Sequence, residues 1–116
     1  MIISQPTPEP NESIELLYTP GCLAWKQAET NLKQALEQAG LNDVPFQVVA
    51  IETMEQARAY NFFASPTIHI NGIDIEPHSR HVSRRGLGTG RPYFTQGQTL
   101  AVPPIELILA ALKELY

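Results

Sequence analysis

The sequence predicts one α/β domain, with a four-stranded mixed sheet and helices on both faces. Three observations carry this: helical spacing of apolar residues after Cys22 and again after Pro104, short β-prone runs between those stretches, and an Asn71-Gly72 pair joining two of the runs. Read in order they give β-α-β-α-β-β-α. Strands joined through a helix pair in parallel with a right-handed crossover, whereas the last two form an antiparallel hairpin, so the sheet is mixed.

Residues 1–12, with Pro6, Pro8 and Pro10, read as an extended or disordered tail, and the domain runs from 13 to 116. The stretch "SIELLYT" (Ser13–Thr19) is β-prone and ends at Pro20-Gly21. From Cys22 the period changes: Trp25, Ala28, Leu32, Ala35, Leu36 and Ala39 share one helical face, with Lys26, Glu29, Lys33 and Glu37 on the other. Gly40 supplies a left-handed stop, and Leu41 is its apolar companion. Phe46–Ile51 lacks polar alternation, the pattern of a strand buried on both faces. Thr53 and Gln56 form a capping-box signature for a short helix from Met54 to Tyr60. Thr67–Ile70 and Ile73–Ile75 flank Asn71-Gly72, the strongest short hairpin signal. Pro77–Pro92 shows no periodicity. Pro103 and Pro104 open a last helix carrying Leu107, Ile108, Ala111, Leu112 and Leu115 on one face.

Composition narrows the function. A chain of 116 residues with net charge −4 lacks the basic face that general nucleic-acid binding requires. One cysteine excludes an intrachain disulfide, so a stapled secreted scaffold is not indicated. "MIISQPTPEPNES" has neither the charged start nor the apolar run of a signal peptide, and no stretch is long and apolar enough to span a membrane. The expected compartment is the cytoplasm, where a thiol stays reduced.

Two short motifs add to the element order: "TPGC" ends the first strand and "SPT" opens the third. Together they resemble the thioredoxin fold over Ser13–Tyr116. In that resemblance "PGCLAW" stands at the C-x-x-C turn, with Cys22 at the attacking cysteine and Trp25 at the place of the second. Ser65-Pro66-Thr67 stands at the cis-proline segment, which lies against the cysteine and offers backbone groups to an extended substrate. Within the superfamily the chain is similar to small thioredoxin-like proteins with "SPTI…NG.D", some associated with organomercurial detoxification. The resemblance implies Cys22 as nucleophile and Gly21, Trp25, Ser65, Pro66 and Thr67 as the substrate-binding surface.

Elementary chemistry bears on Cys22 in two ways. A cysteine at a helix N-terminus faces unsatisfied N–H groups that favour thiolate, which implies a lowered pKa and solvent access. Against that, free cysteine is among the most buried residue types. Without a second cysteine to resolve a mixed disulfide, dithiol reductase chemistry is excluded. Monothiol exchange with glutathione or a protein thiol stays open, with no cofactor required. A single thiolate is a poor site for a soft metal, and no metal cluster is read elsewhere.

The segment "HSRHVSRRGLGTGR" (His78–Arg91) carries Arg80, Arg84, Arg85 and Arg91 and no acid. If the hairpin returns the chain to the thiol end, these arginines form an anion clamp beside Cys22; the competing reading is a solvated connector. His69, alternating with Ile68 and Ile70, reads as a surface or satisfied strand histidine. Two function classes remain: a monothiol oxidoreductase acting on a thiol or disulfide, and a non-enzymatic module that binds a partner, an anion or a soft metal through the same face.

Overall fold

The computed structural model describes residues 14–116; the predicted tail, and Ser13 at the head of the first strand, lie outside the described residues. The elements in chain order are β1 (Ile14–Tyr18), α1 (Trp25–Gln38), β2 (Gln47–Ala50), α2 (Met54–Ala59), β3 (Thr67–Ile70), β4 (Ile73–Asp74), a 3₁₀ turn (Pro77–His81), β5 (Tyr93–Thr95), β6 (Gln98–Leu100) and α3 (Ile105–Leu115). Strands β2-β1-β3-β4 form one mixed sheet: β1 and β2 are parallel, β1 and β3 antiparallel, β3 and β4 antiparallel.

Period-2 alternation in β1 divides the interior. Ile14 and Leu16, with Ile68 and Ile70 of β3, face the apolar stripes of α1 (Ala28, Leu32, Ala35, Leu36) and α3 (Ile108, Ala111, Leu112). Leu17 points the other way, into a smaller cluster with Ile51, Ala57, Tyr60 and Phe62 beneath α2. The helix ends follow the chemistry legible in the sequence. Gly40 takes φ +73°, and Leu41 N–H donates to Leu36 C=O at 2.8 Å with Gly40 N–H on Glu37 C=O at 3.1 Å, a Schellman stop. At α2 both halves of the Thr53–Gln56 capping box are made. No helix among the described residues is long and apolar enough to cross a membrane.

Three expectations change. β2 is an edge strand with Val48 exposed, because only one of its sides is paired; its apolar run is half-buried rather than buried on both faces. α1 begins at Trp25, not Cys22, because Thr19–Cys22 closes a turn of its own through Cys22 N–H to Thr19 C=O at 2.9 Å. A second, two-stranded sheet, β5-β6, is added between the 3₁₀ turn and α3. Its turn residues Gln96 and Gly97 both have positive φ, 48° and 77°, as a primed hairpin turn requires.

Candidate functional site

Cys22 lies just beyond the C-terminal end of β1. The antiparallel register runs from Ile14 opposite Ile70 to Leu17 opposite Thr67. Continuing it sets Thr19 opposite Ser65, so the cysteine turn flanks the head of β3. The thiol is free and buried, with Cys22 only 4% exposed, whereas its neighbour Leu23 is 93% exposed. The solvent access expected for a helix-start cysteine is therefore absent. The Thr19–Cys22 turn directs the sulfur inward and sends the next side chain out. Gly21 is exposed, and a Cβ there meets nothing within 4 Å. Trp25 stacks on Tyr18 with ring centroids 4.2 Å apart and packs on the α1–α3 core. Lys26 Nζ lies 4.5 Å from the same ring. Two more hydroxyls at this end, Thr19 Oγ1 and Ser65 Oγ, are buried without hydrogen-bond partners.

The Ser65–Pro66 bond is cis. The backbone groups beside it are not free. Ser65 N–H donates to Gly88 C=O at 2.8 Å, and Ser65 C=O accepts from Arg91 N–H at 2.9 Å. Pro66 C=O accepts from the Tyr93 hydroxyl, whose pKa burial pushes up, so that it stays a donor. Thr67 Oγ1 donates to Ala64 C=O and accepts from Arg91 Nη1. The Ser65–Thr67 platform expected to face a substrate is thus covered by the chain's own Gly86–Tyr93 segment. Gly88 permits the cover: a Cβ on it would sit 3.2 Å from both Ala64 Cβ and Phe63 C=O.

The four arginines do not gather at Cys22. The 3₁₀ turn reverses the chain, and Arg80 donates to Asp74 C=O and forks onto Glu114 at 2.9 and 3.0 Å. Glu114 is in the last turn of α3, whose end is tied to Asn71 at the hairpin, away from the thiol. Arg84 lies over the Phe63 ring at 5.1 Å. Arg85 bonds Val82 C=O, Arg84 C=O and Asn61 Oδ1. Arg91 does reach the thiol end of β3, but buried and with its charge spent: it forks onto Asp74 with both contacts at 2.9 Å, reaches Glu76 at 3.2 Å, and lies between the Phe63 and Tyr93 rings. The acids that pair with Arg80 and Arg91 all come from outside the basic segment: Glu114 for the first, Asp74 and Glu76 for the second. The segment is exposed over much of its length, from 87 to 90 and at Arg84, and is anchored at its end by Arg91. That anchor is a buried ion cluster.

No family model matches the chain, and neither the curated proteins nor the solved structures return a match.

Asp74 belongs to a polar row that sequence reading missed. Register places Gln47, Glu15, His69 and Asp74 side by side across β2, β1, β3 and β4. Glu15, His69 and Asp74 are all buried. His69 is therefore not a surface histidine, and its Nδ1 has no hydrogen-bond partner. Burial lowers its pKa to about 4, with Arg91 and Arg85 acting in the same direction against Asp74. Its Nε2 is 3.9 Å from Asp74 Oδ2, too long for a hydrogen bond, so near neutral pH this is a neutral ring beside a carboxylate, not an ion pair. The available signal was period-2 alternation of Glu15, His69, Asp74 and Glu76 with apolar residues. That pattern ordinarily marks a solvated sheet face; here loops cover it.

Proposed function

We propose that this chain is a thioredoxin-like module that works by binding rather than by thiol–disulfide exchange, and that its partner is a cytosolic protein docking on the turn after β1. The sheet order β2-β1-β3-β4 and the place of Ser65-Pro66-Thr67 at the head of β3, beside the cysteine turn, support the resemblance. The observation that carries the binding reading is Ser65: both of its backbone groups are already bonded, to Gly88 and Arg91. An extended disulfide substrate has no strand edge to pair with there. Exchange also requires an incoming sulfur to reach the thiolate in line, and Cys22 is 4% exposed. What the turn does present is Leu23, 93% exposed. This large apolar side chain is the point at which an apolar group of a protein partner would be buried.

Monothiol exchange with glutathione is the second reading, and one feature favours it. α1 has no side-chain cap, and the Thr19 and Ser65 hydroxyls are unpartnered, so donors for a thiolate or a mixed disulfide are at hand. Intact-mass measurement separates the two. The folded protein is incubated with oxidised glutathione, and separately with iodoacetamide, at pH 7 to 9. The binding reading expects no adduct until denaturant is added. A glutathione adduct formed within minutes under native conditions overturns it in favour of exchange.

A further inference from the structure

A concavity lies on the polar side of the sheet. It has a volume of about 210 Å³, and its wall includes Asn61, His69, Asp74, Ser79, Arg80 and Arg85. It is small for a nucleotide and adequate for a short organic acid.

The charges in its wall are not equivalent. Asp74 is held by both Nη atoms of the buried Arg91. Arg80 is matched by Glu114. Arg85 alone among these arginines lines the space with no carboxylate against it: its three acceptors are two backbone carbonyls and the Asn61 amide oxygen. Those bonds hold the guanidinium in place without neutralising it. A guanidinium has five N–H donors; two, on Nε and Nη2, remain unused. His69 presents a buried ring that is uncharged near neutral pH, so it contributes neither repulsion nor a second cation.

We propose that this cavity binds a short-chain carboxylate, with Arg85 as its ionic anchor. A single pre-positioned guanidinium with two open donors matches the fork geometry and the single charge of a carboxylate. A phosphate group, carrying more charge, draws on several cations or a run of backbone N–H groups, whereas the other arginine of this wall, Arg80, is paired with Glu114. The site is independent of Cys22 and of the partner surface around Leu23.

The test is an NMR titration of the full, isotope-labelled chain with acetate and with succinate, against chloride and inorganic phosphate at matched ionic strength. Saturable shifts at Asn61, Ile73 and the Arg85 Nε–H are expected with the carboxylates. Arg85→Gln weakens binding at least about ten-fold, the scale of a lost charge-assisted hydrogen bond. Arg85→Lys, which keeps charge but not the fork, falls between, and Arg84→Gln has no effect. If Arg85→Gln does not fold, saturable movement of the wild-type Arg85 Nε–H with its graded loss in Arg85→Lys decides the matter. The proposal is overturned by carboxylate shifts no different from those of chloride, by saturation with phosphate alone, or by carboxylate affinity unchanged when Arg85 is replaced.

Discussion

Two segments flank the head of β3: the turn from Thr19 to Trp25 and the cover from Gly86 to Tyr93. The turn holds the motif that stands out in the sequence, yet its geometry is permissive. Gly21 takes no positive φ and has open space where a Cβ would go, and the turn closes through one backbone bond, Cys22 to Thr19. The cover comes from the stretch without periodicity, yet four of its residues, Gly86, Gly88, Arg91 and Tyr93, are tied to the Phe62–Pro66 segment by hydrogen bonds. A Cβ on Gly88 would press on Ala64 and Phe63 at 3.2 Å, Gly88 and Arg91 take up both backbone groups of Ser65, and Arg91 is buried against two carboxylates. The stretch that stands out in the sequence is thus not the one with the most committed structure. Structural commitment is instead set by how many buried polar groups a segment must satisfy, since each one left unmet is costly.

The contrast breaks most directly at Arg91. Arg91→Gln leaves Asp74 and Glu76 buried without their cation, and a loss of about 3–5 kcal/mol is expected in urea unfolding. A loss below about 1 kcal/mol, as for exposed pairs, would place the cluster in effective solvent contact and dissolve the distinction. Asp74→Asn in the same background should recover part of the loss, because the two changes share one network.

Gly88→Ala probes the cover by sterics. The new methyl would press on Ala64 Cβ and the Phe63 carbonyl, both at 3.2 Å, for an expected cost of about 1–3 kcal/mol. An unchanged unfolding midpoint would show that the Phe62–Ser65 contact yields easily.

The polar row gives a pH dependence of definite sign. His69 is lowered to about 4 in the folded protein from 6.5, so the unfolded chain binds the proton first. Its neutral burial leaves stability intact above about pH 6.5 and erodes it as pH falls toward 4. Between pH 7 and pH 5 the loss from this group is about 2 kcal/mol. The groups acting on it are Asp74, Arg91 and Arg85, with Glu15 across the strand. Urea unfolding at the two pH values should show this loss in the wild type and a flatter response in His69→Leu. Equal slopes would mean His69 does not carry the effect.

The smallest change is expected at Gly21. Gly21→Ala should leave stability within about 0.5 kcal/mol, as for an unconstrained surface site. A larger loss would show that the cysteine turn is as tightly determined as the cover, and the contrast would fail from that side.

What the sequence determined by itself is everything governed by neighbours in the chain. Gly40 with Leu41 stops α1 because a left-handed residue lets two N–H groups reach back to open carbonyls. Thr53 and Gln56 start α2 because each side chain meets the other's backbone N–H. Asn71-Gly72 turns β3 into β4 because both residues accept positive φ, 53° and 80°. The β5-β6 hairpin, which the sequence reading did not foresee, turns through positive φ at Gln96 and Gly97, a pair that signals a turn far less clearly than Asn-Gly. Tertiary structure alone decided which faces are covered and where each charge goes. Glu15, His69 and Asp74 occupy alternate strand positions like a solvated face and are nevertheless buried, with Arg91 of the returning segment held on Asp74. Arg91 reads as one of four equivalent loop cations, but it differs from Arg85 because Asp74 and Glu76, 17 and 15 residues earlier, converge on it. Local patterns fix backbone dihedrals, which depend on a few adjacent residues. Burial and ion pairing depend on segments brought together only when the chain has folded, and no spacing rule within one segment encodes them.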